Sequence, residues 1–373
     1  MPDRSPCVTV HSAPRHAKLH YLGKRPWSGT RSELPQTSIR EVARRAGVSV
    51  GTVSNVLNRP DLVAEATRDR VRAAIEELGF VRNESARRLR TGPERTAGEF
   101  GDQPRRAFGV LVEDLTNPYA TDVARGAEAA LNAAGHDALW LSSDHSPRKE
   151  RRLLELLADQ RAAGALVIPV GIGPRDISRL RAAGMSVVLI DRDASDVCSA
   201  RVDHVAGGEA AAAYLLGIGR DRIAFVTGIP EPQPCVERRD GAARTIVEAG
   251  LGKPPVLVKD ALSPTEGQAA AHQIMAMSPV PDGVFCANDL LAIGLINELT
   301  RLGVRVPEDI AVIGYDDIEL AASAAVPLTT VRQPRRELGW EAAELAMAEI
   351  GEGKSHQHRQ VVQRPDLVIR ESA

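Results

Sequence analysis

Apolar residues first recur with a helical period just after Thr37, and with a strand-like rhythm only beyond Arg106. Ile39, Val42, Ala43 and Ala46 fall at i, i+3, i+4 and i+7, one apolar face of a two-turn helix. Ser38-Ile39-Arg40-Glu41 opens it as a capping box, and Gly47 supplies the left-handed stop. Ser49 can cap a second short helix with Val53, Val56 and Leu57 inward. A third runs from about Glu65 to Leu78, turning Val71, Ala74, Ile75 and Leu78 inward, and ends at Gly79.

Beyond Arg106, short apolar strands alternate with Ala-rich helices. Strands are predicted at Phe108–Val112, Ala138–Leu141, Ala165–Pro169, Val187–Ile190, Ile223–Thr227, Val256–Val258, Gly283–Ala287 and Ile310–Gly314, with early helices near Thr121–Ala134 and Lys149–Ala158. Regular β-α-β alternation makes parallel sheets covered by helices, and this stretch is too long for one such unit. A weak internal echo points to two. Phe108-Gly109-Val110-Leu111 precedes a helix with Gly126-Ala127 that ends near Gly135. Ile223-Ala224-Phe225-Val226 precedes one with Gly241-Ala242 that ends near Gly250. The fold class is therefore a small α-helical head plus two α/β lobes with a cleft between them, and such sheets bind ligands at the carboxyl ends of their strands.

Charge divides the chain at the same place. Residues 1–106 carry 20 Lys/Arg against 12 Asp/Glu and residues 107–373 carry 27 against 37, an asymmetry hidden by the net charge of −2. A basic head on an acidic body suggests that the head meets a polyanion. No apolar run reaches membrane-span length, and residues 1–36 hold no signal-like apolar core. The cysteines Cys7, Cys198, Cys235 and Cys286 lie far apart, so a disulfide framework or cysteine zinc site is not expected and a reducing cytoplasm is the default. The domain reading is 1–36 disordered, 37–82 a helical head, 83–106 a short helix and linker, and 107–373 a two-lobed body.

Two short helices joined by Gly47-Val48-Ser49 and followed by a third form a helix-turn-helix pattern. With Val53, Val56 and Leu57 buried, Val50, Gly51, Ser54, Asn55 and Asn58 face outward, flanked by Ser49 and Thr52. That small polar face suits a major groove; a solvated face in a small bundle is the alternative, against which the basic charge weighs. The next segment, Asn83-Glu84-Ser85-Ala86-Arg87-Arg88-Leu89-Arg90, surrounds one leucine with arginines. The arginines can hold phosphates and Leu89 can wedge into a minor groove, or Leu89 packs on a neighbour in an interdomain linker.

Several apparent chemical motifs lack their context. Gly47-Val48-Ser49-Val50-Gly51 matches a nucleophile elbow but follows a helix, not a strand. Gly353-Lys354-Ser355 has Ala348 where a phosphate loop needs Gly, and Gly171-Ile172-Gly173 and Gly217-Ile218-Gly219 lack a third glycine. Asp316-Asp317 follows a strand, but adjacent side chains point apart and no partner acid or histidine adjoins it in sequence. His356 and His358, in a polar C-terminal stretch, read as solvated. No catalytic grouping, metal site or cofactor motif emerges.

Ile39–Asn58 with the segment after it resembles the head of the LacI/GalR family of bacterial transcriptional regulators. Asn117–Tyr119, Val202–Gly208, Cys286–Gly294, Val306–Asp317 and Pro327–Pro334 resemble that family's body in order and spacing. The resemblance implies a homodimer whose heads bind a near-palindromic operator in double-stranded DNA. Val50, Gly51 and Asn55 would read bases, with Gly51 offering no side chain; Ser49 and Thr52 would hold phosphates, with Ser54 on the same face. Asn83, Ala86, Arg87 and Leu89 would lie in the minor groove. It further implies a periplasmic-type sugar-binding module with three interlobe crossovers, whose carbohydrate-like effector meets Asn117, Tyr119, Asp191, Arg192, Arg238, Asn288, Asp316 and Gln333. Two departures stand out: Leu262 replaces an aromatic common in the family, and residues 91–105 lengthen the connection from hinge to body. The expected function is an effector-controlled repressor, not an enzyme; a sugar-binding receptor without DNA binding is the alternative.

Overall fold

Ser38 starts the head as its capping box requires. Its backbone N–H donates to Glu41 Oε2 at 2.6 Å, and Glu41 N–H returns to Ser38 Oγ at 3.3 Å. The structure, a computed structural model, describes residues 37–80, 105–193, 195–228 and 232–373. The readings made for 1–36 and for the hinge residues Asn83, Ala86, Arg87 and Leu89 lie outside them. The described residues fall into two units, a head and a body.

The head comprises α1 (Ile39–Ala46), α2 (Val50–Asn58) and α3 (Glu65–Leu78). Gly47 (φ 64°) and Gly79 (φ 58°) close α1 and α3 in the left-handed conformation that glycine adopts without a Cβ clash. Val42, Ala43, Ala46, Val53, Val56, Val71 and Ala74 form the core, with Ile39, Leu57, Ile75 and Leu78 partly buried against it. The helical spacing thus located the core residues directly.

The body contains two six-stranded sheets. The first is built from β1 (Ala107–Val112), β2 (Asp137–Ser142), β3 (Gly164–Val167), β4 (Ser186–Ile190), β5 (Cys198–Val202) and β11 (Gln360–Gln363), ordered β11-β5-β4-β3-β1-β2. The second holds β6 (Ile223–Gly228), β7 (Val256–Lys259), β8 (Gly283–Cys286), β9 (Ala311–Asp316), β10 (Thr329–Arg332) and β12 (Asp366–Val368), ordered β12-β10-β9-β8-β6-β7. Pairing is parallel except for β10 with β12. The two orders are the same pattern, with β1 and β6 in equivalent places, which is what the sequence echo reflected. The chain passes between lobes after β5, after β10 and between β11 and β12, giving the three expected crossovers.

The echoed glycines mark close helix crossings. A Cβ on Gly126, in α4 (Pro118–Ala133), would lie 1.9 Å from Arg336 O in α12 (Arg335–Glu352). A Cβ on Gly241, in α8 (Gln233–Glu248), would lie 2.2 Å from Val205 O in α7 (His204–Gly217). Each pair packs backbone to backbone, which any larger residue would force apart. Sequence periodicity missed β5, β10, β11 and β12. Cys198–Val202 and Thr329–Arg332 carry Ser, Thr and Arg within short strands, and Gln360–Gln363 and Asp366–Val368 are edge strands of mixed polarity, so none shows a continuous apolar run.

Candidate functional site

On α2, the cap is made by Thr52 N–H donating to Ser49 Oγ at 3.0 Å, with the two hydroxyls 2.9 Å apart. Val53 and Val56 turn inward while Ser49, Val50, Gly51 and Asn55 are exposed and Thr52 and Ser54 half-buried. Val50 is 39% exposed, so its apolar side chain is available on that face. The structure therefore brings Ser49, Val50, Gly51, Thr52, Ser54 and Asn55 onto one uncharged surface. A Cβ at Gly51 would meet only Ser49 Oγ, at 3.6 Å, so the absent side chain is not forced by packing.

In the body, the carboxyl ends of the strands converge on a chain of buried polar groups that crosses from lobe to lobe. Asp191 follows β4 with φ 54°, and its carboxylate accepts from the Tyr119 hydroxyl of α4, from Val202 N–H at 3.3 Å and from His204 Nε2 at 3.2 Å. His204 is the first residue of α7, in the second lobe. Its Nδ1 accepts from Arg238 Nε at 3.3 Å and lies 3.1 Å from the Tyr315 hydroxyl. Arg238, 4% exposed, stacks 3.7 Å above the Tyr315 ring, donates to Ala287 O at 2.7 Å and stands 3.8 Å from Asp316 Oδ1. Gln333 Nε2 donates to Asp316 Oδ1 at 2.6 Å. Arg335, on α12 of the first lobe, donates to the Asp316 and Asp317 carbonyls and, at 3.1 Å, to Asp122 on α4.

Electrostatics divide these acids. Burial would raise the Asp191 carboxyl, but His204, Tyr119 and Arg238 outweigh it and hold it below the usual range. Burial, reinforced by Arg238, keeps His204 below its ordinary value against the pull of Asp191, so the ring is neutral with its proton on Nε2. Burial raises Asp316 to about 6 despite Arg238 and Arg335. Glu113, following β1, is pushed to about 8, chiefly by burial and then by Asp191 and Asp316, and its Oε2 is buried without a partner.

Tyr119, Asp191, Arg238, Asp316 and Gln333 are thus brought into one network. Asn117 caps α4, accepting from Tyr119 N–H at 3.1 Å. Asn288 caps α10 (Asp289–Arg301), accepting from Leu291 N–H at 3.0 Å, and donates to Leu262 O at 3.4 Å. Arg192 is exposed immediately beyond Asp191. As expected, Asp316 and Asp317 point apart: Asp317 pairs with Arg332 and Arg370. Sequence reasoning missed Glu113, His204 and Tyr315. Tyr315 adjoins the named Asp316, whereas Glu113 follows β1 and His204 begins α7 with no named site residue beside them, and only the tertiary fold joins the three. His356 and His358 need correction: the His356 side chain is 2% exposed rather than solvated, because Glu352 and Cys198 enclose it.

The family described as bacterial regulatory proteins, lacI family, matches residues 38–83, and a periplasmic binding protein-like domain matches residues 212–373. The HTH-type transcriptional repressor PurR of Photobacterium profundum is 34% identical over 339 residues, 90% of this chain and 98% of that protein. A solved complex of the transcriptional regulator CelR with cellobiose is 30% identical, covering 90% of this chain and 100% of that one, with a TM-score of 0.65. A LacI family transcriptional regulator from Enterococcus faecium with bound ribose is 26% identical, covering 72% and 98%, with a TM-score of 0.66.

Proposed function

The chain belongs to the LacI family of bacterial regulatory proteins, a DNA-binding transcriptional regulator of repressor type with an effector-binding body, and we propose from this premise how its own residues divide the work. The exposed face of α2 enters the major groove of a near-palindromic operator. Asn55 pairs with an adenine edge, Val50 makes apolar contact, and Ser49 and Thr52 hold phosphates, which position the head without specifying sequence. Leu89 and its arginines act in the minor groove, and the chain works as a cytoplasmic homodimer.

The effector is a polyhydroxylated small molecule bound between the lobes. The observation that carries this reading is the buried chain Tyr119–Asp191–His204–Arg238–Asp316–Gln333 beside the unpartnered Glu113 oxygen. It offers donors and acceptors of both kinds from both lobes, which suits hydroxyls that donate and accept together. The cellobiose and ribose in similar regulators support a sugar here. The effector shifts DNA affinity by its differential affinity for two lobe arrangements, typically about 1–3 kcal/mol. A receptor without DNA binding is disfavoured by the helix-turn-helix match.

A thermal-shift screen of pentoses, hexoses, disaccharides and nucleosides tests the ligand class. A ligand at 100 times its Kd adds about 2.7 kcal/mol to native stability. A sugar that stabilises the wild type but not an Arg238→Met variant supports the reading. Stabilisation by nucleosides alone overturns the sugar assignment.

A further inference from the structure

One thiol and two imidazoles outside the effector cleft meet at the outer edge of the first lobe. Cys198 begins β5 and is fully buried. Its Sγ lies 3.1 Å from His356 Nε2 and 3.8 Å from His358 Nδ1, and the three ligand atoms all lie within 4.8 Å of one another. We propose that Cys198, His356 and His358 form a binding site for a divalent transition metal of the zinc class.

The geometry fits that class. With Zn–S near 2.3 Å and Zn–N near 2.0–2.1 Å, tetrahedral coordination separates sulfur from nitrogen by about 3.5 Å, a value the two observed distances bracket. The rings stand at 67° with centroids 5.2 Å apart, so both lone pairs can aim at one point without stacking. His356 Nδ1–H donates to Glu352 Oε2 at 2.7 Å. This carboxylate–histidine pair fixes the tautomer that presents a free Nε2 lone pair to the sulfur side, an arrangement recurrent among metal-bound histidines. A thiol that donates to His356 Nε2 and accepts from His358 Nδ1–H is the metal-free alternative, and the cobalt titration below separates the two.

The scaffold is rigid where it must be. β11 pairs with β5 in register Gln360↔Ser199, Ser199 N–H donates to Arg359 O at 3.0 Å, and Arg359 N–H reaches Cys198 Sγ at 3.4 Å. Binding releases the Cys198 thiol proton to the buffer as the sulfur–metal bond forms. Three protein ligands leave the fourth tetrahedral position to water. A bound ion would tie the α12–β11 connection to the start of β5, within the first lobe.

Cobalt(II) titrated into the reduced, metal-free full chain tests this. One equivalent is expected to give a thiolate-to-cobalt charge-transfer band with tetrahedral d–d bands, all displaced by zinc. Cys198→Ser is expected to abolish the charge-transfer band, and His358→Ala, at a partly exposed position, to weaken affinity at least about tenfold. A folded wild type with no stoichiometric band overturns the proposal. So does a band that persists in Cys198→Ser, which would assign it to Cys7, Cys235 or Cys286. If Cys198→Ser fails to fold, unchanged cobalt affinity in His358→Ala is decisive against the site.

Discussion

Replacing Arg238 by Met keeps much of the side chain's apolar length and removes the guanidinium that stacks on Tyr315 and carries the charge the interlobe acids share. The guanidinium is 4% exposed, donates to Ala287 O and stands 3.8 Å from Asp316. Breaking a buried charged pair from one side typically costs about 3–5 kcal/mol, because the other charge is left without compensation. Part of that cost must depend on pH. Asp316 already sits at about 6, raised by burial, with Arg238 pulling it down; without Arg238 it rises further. A carboxyl with a raised folded-state pKa costs nothing below its unfolded value, and the cost grows as pH climbs to the folded value. At pH 5 Asp316 is protonated in both folded proteins, so its contribution to their difference nearly vanishes. At pH 8 each added unit costs about 1.36 kcal/mol. Urea unfolding followed by the fluorescence of Trp140 and Trp340, both in the body, is therefore expected to show a loss that shrinks by more than 1 kcal/mol from pH 8 to pH 5. The body's other acids act in both proteins and enter only through their own coupling to Arg238. A total loss under about 1 kcal/mol, or one equal at both pH values, would refute the electrostatic reasoning.

Other perturbations address separate parts of the account. Glu113→Gln removes a carboxyl that burial pushes to about 8, so the wild type's stability decline between about pH 5 and pH 8 is expected to flatten in the variant, read by the same urea titrations. Gly339→Ala places a Cβ 1.9 Å from Val123 O and is expected to cost about 1–3 kcal/mol or more, whereas Gly351→Ala, with open space in the same helix, stays within about 0.5 kcal/mol in thermal melts. Asn55→Ala is expected to lose about 1–3 kcal/mol of operator discrimination in competition gel shifts while leaving non-specific binding unchanged. Ser49→Ala removes the cap on Thr52 N–H and should lower the head's stability by about 1 kcal/mol in calorimetry.

Local signals carried the head almost entirely. Ser38, Gly47, Ser49 and Gly79 each act through neighbours within a few residues, and the buried valines follow one helical period, so sequence spacing and structure coincide. The body was legible where strands are continuous apolar runs and illegible where polar residues interrupt them, as in β5 and β10. At the cleft, Tyr119, Asp191, Arg238, Asp316 and Gln333 were found through family likeness rather than pattern. Their union depends on contacts such as His204 with Tyr315, 111 residues apart, that no local period encodes. Cys198 and His356 lie 158 residues apart, so no sequence spacing links the cysteine to the C-terminal histidines.

A two-lobed clamp that controls a DNA-reading head makes the chain's affinity for its operator depend on the effector. The most direct test is anisotropy titration of the full chain against its own promoter fragment and a scrambled duplex, at two salt concentrations, with and without the sugar selected by thermal shift. The expected result is a preference for the promoter that weakens with salt, and an affinity changed about 5–150-fold by the sugar. Equal affinity for both duplexes, or promoter affinity unmoved by a sugar that demonstrably binds, would contradict it.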